Sequence, residues 1–209
     1  MSDLTRFWSR IVDPVHPDDK RTFALYDPTA SVLNRDFPPP AFVGDFDHAP
    51  VVILMGNGGY DPIKTPREFP DRHAVERYLA YLRLPGPIDP AGISPYYAQH
   101  YAANLIRRGD AAIVNACAYR SSTAMNNGNR RQLKFIANLL PSVKVAREWA
   151  KGELMSAAAA GERLVVVHRP GLWELEPGDR HNFYQAVDPE WARKPLPMRF
   201  RDLIEKFLP

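Results

Sequence analysis

Apolar runs without polar alternation punctuate the chain. The first, Ala49-Pro50-Val51-Val52-Ile53-Leu54-Met55, breaks off at Gly56-Asn57-Gly58-Gly59-Tyr60. The second runs from Ala111 to Ala118 and is interrupted only by Asn115; a third covers Arg163 to Val167. Such runs read as strands buried on both faces, the usual condition of a parallel sheet. Strands are therefore expected over 50–55, 111–118 and 163–167, with a shorter fourth over 182–187.

Between them the apolar positions recur at helical spacing. Val75, Tyr78, Leu79 and Leu82 mark a helix over 71–84 with Asp71 as its N-cap. Ser94 and Pro95 open another, which Arg107, Arg108 and Gly109 close. Helices over 129–140 and 141–160 are separated by Pro141, and a last one over 198–208 carries Phe200, Leu203, Ile204 and Phe207 on one face. Residues 1–48 form a Pro-rich lead-in with a short helix near Leu4 to Val12, expected to wrap the core and to cover Phe7, Trp8, Phe23, Tyr26 and Phe42. The alternation predicts one α/β domain over 1–209: a three-layer α/β/α sandwich around a mostly parallel four-stranded sheet.

Composition narrows the class only mildly. The 209 residues are 45% hydrophobic and 24% charged, ordinary values for a folded globular chain. Twenty-one prolines against 12 glycines imply long, stiff connections. A net charge of +3 permits a polyanionic partner without requiring one. One cysteine, Cys117, excludes an intrachain disulfide and reads as a buried thiol. No apolar window is long enough to span a bilayer and the first residues carry no secretory pattern, so a cytoplasmic protein is expected.

The candidate chemistry gathers at the strand ends, where open α/β sheets bind ligands. Asn57 is either a hydrogen-bonding group in a pocket floor, flanked by Gly56, Gly58 and Gly59, or a turn residue. Asn115 needs partners wherever it is buried; these are a ligand edge or a neighbouring backbone. Arg120 follows the second strand and either grips a phosphate or carboxylate or is a solvated or structurally ion-paired residue. His168 and Arg169 end the third, and His181 precedes the fourth. Asp61 is a possible general base or a turn former. Arg130, Arg131 and Lys134 open a helix that could meet phosphates. No metal-ligand spacing, P-loop, dinucleotide fingerprint or nucleophile elbow occurs, and no cofactor is implied.

Two of these motifs resemble the uracil-DNA glycosylase superfamily. Asn57-Gly58-Gly59 after an apolar strand is similar to its Asn-x-Gly first motif, with Tyr60 the matching aromatic. Asn115 in Ile113-Val114-Asn115-Ala116-Cys117-Ala118-Tyr119-Arg120 resembles its base-reading strand. The His-Pro-Ser motif is not recognisable; His168-Arg169-Pro170 is a partial echo, and the region from His181 to Pro189 is the alternative. Leu172 and Trp173 stand where a DNA wedge would be sought. The resemblance implies a hydrolase that extrudes a base from single-stranded or mismatched DNA. Asn115 would read the base, Asn57 would position water, and His168 or His181 would stabilise the departing anion. Arg130, Arg131, Lys134 and Arg169 would hold DNA. Two other readings stand beside it: an inactive relative that binds nucleic acid or nucleotides, and an unrelated α/β enzyme gripping an anionic metabolite through Arg120 and Arg169.

Overall fold

The computed structural model describes residues 1–88, 95–122, 127–168, 172–175, 183–186 and 198–208. The chain order is α1 (Asp3–Trp8), a 3-10 turn (Pro17–Asp19), α2 (Lys20–Tyr26), β1 (Phe42–Val43), β2 (Val51–Tyr60), α3 (Lys64–Glu68), α4 (Arg72–Arg83), α5 (Pro95–Ala98) and α6 (Ala103–Arg108). It continues with β3 (Ala111–Ser122), α7 (Asn127–Leu139), α8 (Pro141–Trp149), a π turn (Ala150–Leu154), α9 (Met155–Ala159), β4 (Leu164–His168), β5 (Phe183–Ala186) and α10 (Met198–Phe207).

The strands form one mixed sheet in the order β1-β3-β2-β4-β5. β3 and β4 flank β2 in parallel and β5 runs parallel to β4, but β1 lies antiparallel on β3. The expected mostly parallel four-stranded sheet is corrected by this edge strand. Its two residues, one position past Pro38-Pro39-Pro40, are too few to leave a periodic signal, and proline donates no ladder hydrogen bond. The chain leaves β2 for one neighbour, β3, and later returns on the other side as β4. The C-terminal end of β2 is thus the switch point, where such sheets leave a crevice.

β2 and β3 both run beyond their predicted ends. Gly56-Asn57-Gly58-Gly59 is strand, not turn, and β3 extends through Ser122. Between Asn57 and Gly59 the register slips: Asn57 pairs with Cys117 and Gly59 with Ser121, so β3 spends four residues where β2 spends two. Bulges re-aim side chains. Here the bulged stretch holds Tyr119 and Arg120, which project into different surroundings.

Several predicted boundaries have visible physical causes. Asp71 Oδ1 accepts the Ala74 N–H at 2.8 Å and starts α4. Gly109 ends α6 at φ 84°, and Pro141 sits in the first turn of α8. The helix expected to run unbroken from Pro95 to Gly109 is split into α5 and α6; its predicted cap, Ser94, lies outside the described residues. α2 was not anticipated in the lead-in. Phe7, Trp8, Phe23 and Phe42 are buried as expected, whereas Tyr26 is not. Among the described residues no helix is long and apolar enough to cross a membrane.

Candidate functional site

A cavity of about 500 Å³ opens beside the C-terminal ends of β2 and β3. Gly58, Gly59 and Tyr60 of β2 and Arg120 of β3 line it, together with Pro40, Glu68, Tyr96 and Tyr97. Gly58 is required by packing: a β-carbon there would run into the Pro40 ring. Gly59 faces open space. Neither has a positive φ, so the glycines serve close approach rather than a turn.

Arg120 and Glu68 form a buried ion pair in the wall of the cavity, which Asp61, Lys64 and Arg67 also line. Their side chains are 4% and 7% exposed, and Arg120 Nη2 lies 2.8 Å from Glu68 Oε2. Arg120 also donates from Nη1 to the Gly59 carbonyl at 3.4 Å, and its guanidinium lies 5.7 Å from the Phe69 ring centroid. Its Nε is buried without a hydrogen bond. A lone buried guanidinium would cost several kcal/mol and demand an anion; with Glu68 beside it, the pair is formally neutral.

Asp61 helps to place Glu68. Its Oδ1 accepts the Ile63 and Lys64 N–H groups at 2.9 and 2.8 Å, and its own N–H donates to Thr65 Oγ1 at 3.1 Å, which starts α3. The Lys64 and Ile63 amides hold its carboxyl below the usual aspartate range. It is a turn former whose ionised carboxylate is already spent on backbone donors.

The two asparagines flank the cavity without lining it. Asn57 is half-buried, and its Nδ2 donates to Ser121 Oγ at 2.5 Å and to the Gly58 carbonyl at 3.0 Å. Asn115 is buried behind the wall. Its Nδ2 donates to the Pro40 carbonyl at 2.5 Å and to the Tyr97 hydroxyl at 2.9 Å, while Oδ1 has no partner. Burial pushes the Tyr97 phenol up to about 12, so it is neutral. Gly56 is buried within β2.

The remaining predicted residues are scattered. His168 ends β4, paired in the backbone with Ala186; its side chain lies outside the described residues, as do Arg169 and His181 altogether. Arg131 and Lys134 are exposed on α7, and Arg130 belongs to the same helix with an undescribed side chain. Trp173 is fully buried and donates from Nε1 to the Met55 carbonyl at 2.7 Å, so it acts as a clasp on β2 rather than a wedge. Leu172 is half-buried, its carbonyl held by Arg147 Nε at 2.5 Å. Sequence reasoning missed Glu68 and the Tyr96-Tyr97 doublet. Glu68 stands alone in a charged stretch and carries no pattern; the doublet was readable only as part of a helix face.

A second buried polar group occupies different surroundings, reached through the other bulge residue. Tyr119 Oη donates to Asp19 Oδ2 at 2.7 Å and accepts the His16 N–H at 3.1 Å. Asp19 Oδ1 accepts the Ser142 N–H at 3.0 Å. His16 Nδ1 accepts the Asp18 N–H at 3.2 Å, which places the proton on Nε2, donated to the Phe7 carbonyl at 2.9 Å. Burial lowers the His16 pKa and raises that of Asp19. Nearby, burial pushes the Cys117 thiol up to about 12.

Set against known proteins, the chain matches no family model, no curated protein and no solved structure.

Proposed function

We propose that the cavity receives a planar heterocyclic base extruded from a polynucleotide, and that the protein hydrolyses its N-glycosidic bond in the manner of a uracil-DNA glycosylase. The observation that carries this reading is the composition of the cavity: a charge-balanced Arg120–Glu68 pair among tyrosines at the switch-point end of β2. About 500 Å³ is room for a base and its sugar. Tyr60, Tyr96 and Tyr97 offer aromatic surface, and the pair offers a donor beside an acceptor, as a base edge requires. In this scheme Arg120 and Glu68 share the reading of the base with Tyr97, and Asn115 supports Tyr97 from behind. Asn57, its Nδ2 held by Ser121 and Gly58 beside the cavity, is the group assigned to the water at the sugar. An amide has no usable basicity, so catalysis rests on stabilising the departing base and is slow.

The test is release of base from single-stranded and mismatched uracil oligonucleotides, read as strand scission after alkali. Product from the wild type that disappears in Asn57→Ala supports the proposal; a wild type that yields none refutes it. One observation favours a second reading, a relative that binds without cleaving: among the described residues the carboxylates lining the cavity, Glu68 and Asp61, are engaged by Arg120 and by backbone amides. Binding without product is its signature.

A further inference from the structure

We propose that the exposed sides of α2 and α7 form a docking track for single-stranded polynucleotide, with Tyr26 and Phe135 as its stacking platform. Tyr26 is 46% and Phe135 55% exposed, though each is large and apolar. Their rings meet edge to face with centroids 5.7 Å apart, a contact between two separate helices. Leu25, beside Tyr26, is 62% exposed. Scattered apolar residues on a surface need no explanation, but a paired aromatic platform in a basic field has a specific use.

The field is one-signed. α2 and α7 contain Lys20, Arg21, Arg130, Arg131 and Lys134 and not one Asp or Glu. Arg131 is exposed one helical turn before Phe135, and Lys134 is exposed beside it. Lys20 is neutralised by Asp13 at 2.8 Å. Asp27, the carboxylate that follows α2, is buried and spent on Ser31 and Leu33. A second copy of the chain would bring this basic face against itself, since a two-fold interface pairs like with like. A polyanion with free ring faces is the complementary partner. Duplex bases are stacked on one another and offer none, so the strand is single.

α7 is the next helix after β3, the strand whose Arg120 lines the cavity. On the other side, the Asn34 N–H donates to the Arg120 carbonyl at 2.9 Å, Arg35 lies 5.1 Å over the Phe23 ring of α2, and Phe37 stacks on Phe69. The inference rests on the polynucleotide substrate of the proposed function, but it is tested without catalysis.

The experiment measures fluorescence anisotropy of a labelled thymidine 12-mer across a salt series, using the full chain. Phe135→Ala should weaken binding about tenfold with the salt slope unchanged, because a stacked base is lost and no phosphate contact is. Arg131→Ala with Lys134→Ala should flatten the log–log salt slope by about 1.4, the share of two phosphates on a single strand. All three residues are exposed, so folding should survive, and circular dichroism checks this. Wild-type binding that is absent at low salt, or unchanged in Phe135→Ala, overturns the track. So does a concentration-dependent dimer that Phe135→Ala abolishes. Scission of uracil oligonucleotides with no role for Phe135 would sink the track alone. Binding through Phe135 with no scission would sink the glycosidase alone.

Discussion

Two buried polar clusters grow from neighbouring residues of the β3 bulge, and they are finished to different degrees. Around Tyr119, the imidazole nitrogens of His16, both carboxylate oxygens of Asp19 and the phenol itself all have partners, and one buried atom, Ser142 Oγ, has none. Around Arg120, three buried polar atoms have none: Arg120 Nε, Asn115 Oδ1 and Tyr78 Oη. The first cluster sits in a closed apolar group with Phe23, Ile136 and Leu140; the second borders a cavity. A buried polar atom left unpaired costs about 1–3 kcal/mol. Arg120 lines the cavity, where a ligand can complete its set; Asn115 and Tyr78 do not line it. The fuller cluster, closed off from any cavity, is therefore read as architecture and the incomplete one as a site.

The sharpest way to break this contrast is Asp19→Ala. It strands the Tyr119 hydroxyl and the Ser142 N–H in the interior. Two orphaned donors predict a loss of about 3 kcal/mol in urea unfolding. Asp19→Asn keeps an acceptor and should lose less. Neither should alter oligonucleotide binding. Equal binding defects in both clusters would remove the distinction.

Gly58→Ala comes next. A β-carbon driven into the Pro40 ring should destabilise by about 2 kcal/mol, since overpacking a closed wall costs in that range. Gly59→Ala meets nothing and should change stability by less than about 0.5 kcal/mol. Chemical denaturation of both variants decides whether Pro40 is a rigid wall of the cavity or yields.

The fold was more legible than the site, for a physical reason. β2, β3 and β4 are buried on both faces, and burial writes itself as continuous apolar runs. Caps such as Asp71 and Gly109 are local chemistry and read directly. The bulge is different. Nothing in Cys117-Ala118-Tyr119-Arg120-Ser121 says that β3 takes four residues against two of β2. Without that slip, the Gly-Asn-Gly-Gly stretch looks like a turn and Arg120 like a residue beyond the strand. Its partner Glu68 is 52 residues away in sequence, and a long-range ion pair leaves no periodicity. The asparagines were conspicuous because amides in apolar strands are rare; what they bond to, Ser121 in one case and Tyr97 with Pro40 in the other, depends on packing that pattern does not encode.

The fuller cluster should also betray itself by pH, with a smaller effect than Asp19→Ala. His16 has a folded pKa below its ordinary 6.5 because burial disfavours the cation. The unfolded chain therefore takes the proton first. His16 contributes its full stability above pH 6.5 and loses it as pH falls through the folded value. Asp19 works the other way: its raised pKa gives stability that is present below 3.8 and lost as pH rises through the folded value. Urea midpoints should thus drop as pH falls from 7 toward 5, and His16→Gln should flatten the drop. A wild-type curve that rises over that interval would mean Asp19 outweighs His16.

The smallest stability effect should come from the incomplete cluster, with the largest effect on function. Removing Arg120 alone would strand the Glu68 carboxylate in the interior, so the two are replaced together as Arg120→Met with Glu68→Leu. Exchanging a buried ion pair for apolar side chains of similar volume is close to neutral, within about 1 kcal/mol, because the desolvation cost disappears along with the attraction. If the pair exists to read a base edge, the double variant should unfold near the wild-type midpoint and yet release no base from uracil oligonucleotides. It should still bind the thymidine 12-mer through Tyr26 and Phe135. A double variant that collapses would show that the pair holds β3 to α3 as Asp19 holds its own surroundings, and that the unfinished hydrogen bonds beside the cavity await no ligand.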